Sequence, residues 1–375
     1  MKQLLLFLCF VSILSCSQKN QNLNFLELAL ASENPKIKKV IDSIENYQVQ
    51  ISYTQIDRRN DSVIFTDYDF QVNDSMYFYP ASTVKFPAAI LALEKLNKTD
   101  SLTMQTKYYV EGDTIESTIQ KDILEIFTVS DNLANNRLIE FLGFDSININ
   151  LKNKGISPVR ISHRLGHHSD DLRTKPIIIY LNDSTTGITQ PILNASPSKL
   201  NLLKTKKGIG FAQDEQLIDS PFDFSLKNYY PISSQHALLK RVIFPKNFDS
   251  REVFDLNREQ REHLLMAMHT VPRKVGYDPS AYYDGYCKFF LFGDTKEDIP
   301  EHIEIYNKVG FAYGTLTDCA YIKDTENDID FLLTATILVN KNGIFNDDVY
   351  EYEEVGIPFL AQLGREIYQH ELKRK

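Results

Sequence analysis

The sequence predicts an α+β protein of the α/β class: an antiparallel sheet built from both ends of the chain and flanked by helices, with an all-helical domain inserted between its halves. Three observations carry this reading. Residues 48–70 read as two strands, with Val49, Ile51 and Tyr53 alternating with polar side chains; residues 302–339 read as three more; and the stretch between them shows mainly helical spacing. With 375 residues, 43 % apolar and 24 % charged, the chain suffices for one large domain or two ordinary ones, and disorder is excluded. Gly and Pro number 15 and 14 without a tripeptide period, which excludes a collagen-like chain, and no solenoid repeat is present. The formal charge is −9 from 41 basic and 50 acidic residues, and no Lys/Arg run forms a phosphate-tracking stripe. No nucleic-acid partner is expected.

The first residues carry an address. Lys2 precedes an apolar run from Leu4 to Leu14, interrupted only by Ser12, and Ser15 comes just before Cys16. The run is too short to span a bilayer and reads as a secretory signal peptide; a buried N-terminal helix is the alternative. Ile13-Leu14-Ser15-Cys16 resembles a bacterial lipobox, which implies lipidation at Cys16. The expected division is a signal over 1–16, a tether over 17–33, a sheet domain from 34–92 and 300–375, and a helical domain over 93–299. Ordinary cleavage releasing a free periplasmic product is the alternative to an envelope anchor, and export is expected either way. Only Cys287 and Cys319 remain in the folded part, so a disulfide framework is excluded; one bridge between them is chemically allowed in an oxidising compartment, and core packing is the reading taken for Cys319.

Each element has a local reason. Asn34-Pro35 is a helix start, a capping side chain followed by Pro at the first helical position, and Ile37, Val40, Ile41 and Ile44 keep helical spacing after it. Folded structure is expected from there. Residues 57–61 read as the hairpin turn between the first two strands. Residues 82–96 form a helix that is apolar almost all round, hence buried. Helices follow over 119–129, 132–141, 234–242 and 258–268, then strands over 302–311, 315–322 and 331–339, and a closing helix over 349–370. A polar and aromatic segment near 181–231 has no assignment and reads as a wall for a cleft.

Three short motifs carry the chemistry. Ser82-Thr83-Val84-Lys85 sets a hydroxyl and an amine on one helical face, a nucleophile beside a base. The helix's first turn favours a developing alkoxide, and apolar surroundings lower the Lys85 pKa. A second Ser-x-x-Lys, Ser196-Pro197-Ser198-Lys199, carries an internal Pro and precedes no apolar helix, so its side chains have no reason to meet. Ser130-Asp131-Asn132 falls in a tight interhelical loop. It is either an ordinary N-cap, through Ser130 or Asn132, or a proton shuttle (Ser130) beside a substrate-binding amide (Asn132). Lys308-Val309-Gly310 follows the alternation of Ile303 and Ile305 along a strand, where an edge offers substrate a cation and a main-chain N–H; the alternative is a solvated strand lysine. Lys274-Val275-Gly276 lies in a turn and serves as a decoy.

Together, in this order, the motifs resemble the penicillin-recognising serine hydrolases, specifically the class A β-lactamase type. Tyr79 to Pro87, Ser130 to Asn135, and Lys308-Val309-Gly310 with Thr317-Asp318-Cys319-Ala320 carry the likeness, which spans about residues 35–180 and 232–375. It implies a β-lactamase/transpeptidase-like fold and an acyl-enzyme mechanism. Ser82 would attack a lactam or peptide carbonyl, Lys85 would take its proton and Ser130 would pass one to the leaving nitrogen. The backbone N–H groups of Ser82 and Phe311 would hold the oxyanion, and Asn132, Lys308 and Gly310 would orient substrate. No metal or organic cofactor is implied, and a monomer is expected.

Two departures accompany the matches. The family's loop Glu, which activates the deacylating water, is absent from residues 160–171. Val309 stands where the family has Thr or Ser, with Thr315 or Thr317 as substitutes. In that loop His163 or His168, helped by Asp170 or Asp171, reads as a replacement base, as a metal ligand set without a recognised zinc spacing, or as part of a solvated loop. Three functions follow: a serine hydrolase acting on β-lactams or related amides, a penicillin-binding peptidase acting on cell-wall D-Ala peptides, or a non-catalytic envelope binding module.

Overall fold

The computed structural model describes residues 24–60, 62–99, 102–166 and 170–374. Cys16, His168 and the expected signal lie outside these residues. A short helix, α1 (Phe25–Leu30), opens the described chain. It corrects the expected tether. Asn24 and Glu27 exchange side-chain and backbone bonds in a capping box, and Leu26 and Ala29 are buried. Ser32 Oγ then donates to Glu366 Oε1 at 2.9 Å, tying the segment to the end of the chain. Burial of one small apolar face is what orders these residues, and a single helical turn leaves little periodicity to read.

Next come α2 (Pro35–Ile41), β1 (Gln50–Arg59), β2 (Ser62–Phe70), a 3-10 turn over Ala81–Val84 and α3 (Lys85–Leu96). The inserted stretch holds β3 (Tyr108–Val110), α4 (Ile119–Thr128), α5 (Asn132–Leu142), α6 (Phe144–Asn153), β4 (Ile177–Asn182) and β5 (Thr185–Ile188). It continues with β6 (Lys206–Lys207), β7 (Gly210–Gln213), β8 (Gln216–Ile218), β9 (Phe222–Asp223), α7 (Ile232–Ile243) and α8 (Arg258–His269). The chain closes with β10 (Ile303–Ala312), β11 (Thr315–Asp324), β12 (Ile329–Leu338), β13 (Ile344–Phe345) and a C-terminal helix, Ile357–Arg374.

The main sheet has the order β10-β11-β12-β1-β2, so both ends of the chain build it, with antiparallel pairing throughout. Ile51 pairs with Ala335 and with Phe70, which joins the N-terminal hairpin to the C-terminal strands. The hairpin turn is tighter than expected, because Arg59 still pairs with Ser62. Strands β11 and β12 are buried almost end to end because helices cover both faces, whereas the edge strand β2 alternates. One face packs Tyr53, Ile305 and Leu333 beneath α1, α2 and the C-terminal helix. The other packs Cys319, Tyr321 and Leu332 against the inserted helices. Cys287 and Cys319 are both buried and unpaired.

The inserted stretch is helical at its centre and adds short strands that sequence reading missed, paired as β3-β4-β5, as β6-β9, and as β7-β8 with β13. Its 181–231 segment is fastened to the body by an aromatic cluster of Tyr77, Tyr79, Phe224, Tyr229 and Phe345. Phe224 and Tyr313 meet edge to face at 5.4 Å, which sets the segment against the β10–β11 hairpin. Among the described residues no helix is long and apolar enough to cross a membrane.

Candidate active site

Ser82 sits in the 3-10 turn that leads into α3. Ala81 before it has φ +47°, a left-handed conformation that costs a non-Gly residue energy. Thr83 Oγ1 donates to the Pro80 carbonyl at 2.7 Å and holds the turn closed. Strand β10 runs against this turn. A Cβ added to Gly310 would stand 2.7 Å from the Pro80 oxygen and 2.9 Å from the amide nitrogens of Ser82 and Thr83. Glycine is therefore required here by close approach of two backbones. Phe311, next in the strand, is 45 % exposed and lines the same cleft as Ser82, about 580 Å³ in volume.

Lys85, one turn on, is fully buried. Its Nζ donates to Asn132 Oδ1 at 2.7 Å and to the Ser130 carbonyl, and lies 3.3 Å from Ser130 Oγ. Burial, reinforced by the nearby Lys308 charge, holds its ammonium well below the ordinary lysine range. Lys308 Nζ donates to Ser130 Oγ at 2.8 Å and to its neighbour's carbonyl, Val309 O, at 2.8 Å. Burial pushes the Lys308 ammonium down to about 8. One hydroxyl, Ser130 Oγ, thus lies between two amines of depressed basicity. No hydrogen bond of Ser82 Oγ occurs among the described residues.

The interhelical loop resolves the capping alternative. Asp131 is the N-cap of α5, its Oδ1 accepting from the Ala134 amide at 2.7 Å. That leaves Ser130 and Asn132 to face Lys85. Ser130 has φ +58°, so this loop, like the Ser82 turn, is held in an unusual conformation beside the cleft.

Other expected residues fall elsewhere. Thr315 and Thr317 are 3 % and 0 % exposed and do not line the cleft; Thr317 Oγ1 donates to Thr336 Oγ1 at 2.9 Å. The substitute role read for them finds no accessible hydroxyl. Val309 points into the apolar core beneath the C-terminal helix, as strand alternation requires once Lys308 faces Ser130 and Gly310 faces the Ser82 turn.

Among the described residues, the loop after α6 makes no carboxylate hydrogen bond to Asn132. Gly166, at φ +97°, is the residue whose added Cβ would meet Asn132 Nδ2, at 4.0 Å. Arg164 pins the loop by donating two hydrogen bonds to Glu140, at 2.7 and 2.8 Å, and further ones to the carbonyls of Asp171 and Arg173. Asn228, from the 181–231 segment, accepts from the amides of Ser162 and His163 at 2.8 and 3.2 Å. His163 lines the cleft and stacks on Tyr79, with ring centroids 6.2 Å apart. Its Nδ1 lies 2.5 Å from the Arg164 carbonyl and Nε2 has no partner among the described residues. Burial pushes its imidazole down to about 4, against the bond to Arg164. His168, the other candidate base, lies outside the described residues. Among the described residues no cluster of His, Cys, Asp and Glu could hold a metal.

Sequence reading missed Arg164, Glu140, Asn228, the aromatic wall and Lys227. Each acts through a contact distant in sequence, and no short motif marks any of them.

Residues 34–191, which include the Ser82 turn, Lys85, Ser130 and the pinned loop, match one family model. It is that of the beta-lactamase enzyme family. Solved β-lactamases share the fold at low identity. The β-lactamase from Xanthomonas campestris is 14 % identical with a TM-score of 0.53, over 92 % of this chain and 98 % of that one. The one from Desulfarculus baarsii is 13 % identical with a TM-score of 0.51, again over 92 % and 98 %. The one from Burkholderia ambifaria is 13 % identical with a TM-score of 0.50, over 90 % and 98 %. Among curated proteins none matches this chain significantly. The observed antiparallel sheet and its flanking helices agree with the β-lactamase-like fold expected from the motifs.

Proposed function

We propose that the chain is a serine hydrolase of the class A β-lactamase type, working through an acyl-enzyme on a β-lactam or related amide. The observation that carries this reading is the meeting of Lys85 and Lys308 at Ser130 Oγ, next to Asn132, which holds Lys85 and lines the same cleft as Ser82. A neutral Lys85 has two N–H donors and one lone pair. Its donors suit the Ser130 carbonyl and Asn132 Oδ1, which leaves the lone pair to take a proton. Ser82 Oγ attacks the substrate carbonyl as its proton passes to Lys85. The C–N bond then breaks as Ser130 gives its proton to the leaving nitrogen and regains one from Lys85. Charged Lys308 steadies the Ser130 oxygen while it is deprotonated. The amides of Ser82 and Phe311 stabilise the oxyanion, a contribution of about 3 kcal/mol per donor. Asn132, which lines the cleft, orients the substrate.

A second reading, a penicillin-binding peptidase acting on D-Ala peptides, is favoured by Gly166, which faces Asn132 where a deacylating carboxylate would be useful. Export and an envelope anchor through Cys16 complete the proposal.

The test is intact-mass spectrometry of the protein mixed with benzylpenicillin over time, with Ser82→Ala as control. An adduct on the wild type alone supports Ser82 as nucleophile. Clearance within seconds identifies a working β-lactamase, and persistence for hours a penicillin-binding protein. No adduct refutes β-lactam acylation.

A further inference from the structure

A carboxylated substrate entering this cleft meets no strand hydroxyl, since Val309 is turned into the core and Thr315 and Thr317 are buried and do not line it. The cations near Ser82 are also engaged. Lys308 Nζ is held by Ser130 Oγ and the Val309 carbonyl. Arg164 lines the cleft, but four of its five guanidinium N–H groups are taken by both Glu140 oxygens and the carbonyls of Asp171 and Arg173.

Lys227 differs. It lines the same cleft as Ser82, its side chain is 26 % exposed, and the carboxylate it faces, Asp170, stands 4.0 Å away on a side chain 82 % exposed. That distance is the outer limit of an ion pair and, at such exposure, the pair adds little. The Lys227 ammonium makes no hydrogen bond among the described residues. Its backbone, by contrast, is fixed. The Arg160 guanidinium donates to the Lys227 carbonyl, the Lys227 amide donates to Phe224 O at 2.9 Å, and the next residue, Asn228, clamps the loop at Ser162 and His163. A flexible, partly solvated ammonium on an immobile base, at the rim of a cleft, is suited to capture an anion as it enters. Asp348, which also lines the cleft, disfavours a second negative group beside it.

We propose that Lys227, carried by the 181–231 segment, is the residue that recognises the substrate's carboxylate, so that the site selects anionic acyl substrates through an inserted element instead of a strand hydroxyl. The inference rests on the reading of this cleft as the acyl-substrate site.

The experiment measures equilibrium binding by calorimetry in the full chain carrying Ser82→Ala, which cannot be acylated at that position. Benzylpenicillin is compared with its methyl ester, whose carboxylate is masked. Adding Lys227→Met is expected to weaken the acid roughly tenfold or more and to leave the ester within about twofold, while Lys227→Arg retains acid binding. Equal weakening of acid and ester, no weakening of the acid, or no binding of the acid before the Lys227 change overturns the proposal. Failure of the acylation reading is seen separately, as the absence of an adduct on the wild type, and does not alter the acid-against-ester result.

Discussion

Gly310→Ala is the smallest change that tests whether the meeting of β10 and the Ser82 turn sets the reactive geometry. The new methyl would stand 2.7 Å from the Pro80 oxygen and 2.9 Å from two amide nitrogens, all backbone atoms of a closed turn. Ordinary van der Waals contact begins near 3.4 Å, so strand and turn must separate by about half an ångström or more; none of the obstructing atoms is a side chain that can swing away. Overpacking of this kind costs about 1–3 kcal/mol of stability, a few degrees in Tm. The effect on reaction is larger. Both proposed oxyanion donors, the amides of Ser82 and Phe311, lie on the two backbones that move apart, and displacing such donors lowers the rate by about a hundredfold. Stopped-flow acylation by a chromogenic cephalosporin, alongside calorimetric Tm, separates the two effects. A Gly310→Ala protein that acylates within threefold of wild type would refute the argument that this contact positions the oxyanion site.

Three further outcomes follow from the same structure. If charged Lys308 assists through Ser130, the acylation rate falls as pH rises through about 8, where Lys308 loses its proton, and Lys308→Arg moves that limb to higher pH; a pH profile flat to 10 contradicts it. Arg164→Ala leaves the buried Glu140 carboxylate without its counter-charge, with the Lys175 amide still donating to it, and costs about 3–5 kcal/mol in urea unfolding, whereas loss of under 1 kcal/mol would show the loop to be pinned by other contacts. His236 is buried between Thr54 and Thr334, and burial, then the Lys240 charge, holds its imidazole well below the usual range. Its folded pKa being lowered, the unfolded chain takes up the proton first. Stability is therefore unaffected above about pH 6.5 and falls by about 1.4 kcal/mol per unit below it. His236→Gln should lessen that acid loss, as read from urea midpoints at pH 7 and 5.

Much of the fold was readable before any coordinates. The strands over 303–312 and 315–324 and the helices over 119–128 and 258–269 lie within a residue or two of their expected places, because alternation and helical spacing are local signals. The short strands β6 to β9 were not readable. Two to four residues carry no usable period, and their pairing depends on partners such as the distant β13. α1 shows the same limit: its capping box is visible as Asn24 and Glu27, but only the surface it meets makes a helix of it.

The site divides along the same line. The candidates for nucleophile, amine, shuttle and strand cation are all legible in three short motifs, since the proposed chemistry demands particular functional groups at short spacings. What they do together came from tertiary packing: that Lys85 turns to Ser130 and Asn132, that Asp131 does the capping, that Gly310 is bare because two backbones nearly touch, and that Thr315 and Thr317 are sealed away. Lys227 belongs wholly to this second class. A lysine in an unassigned loop is indistinguishable from any solvated charge until burial removes its rivals, for it is the loss of accessible alternatives at Val309, Lys308 and Arg164, distant in sequence, that gives one exposed ammonium its meaning.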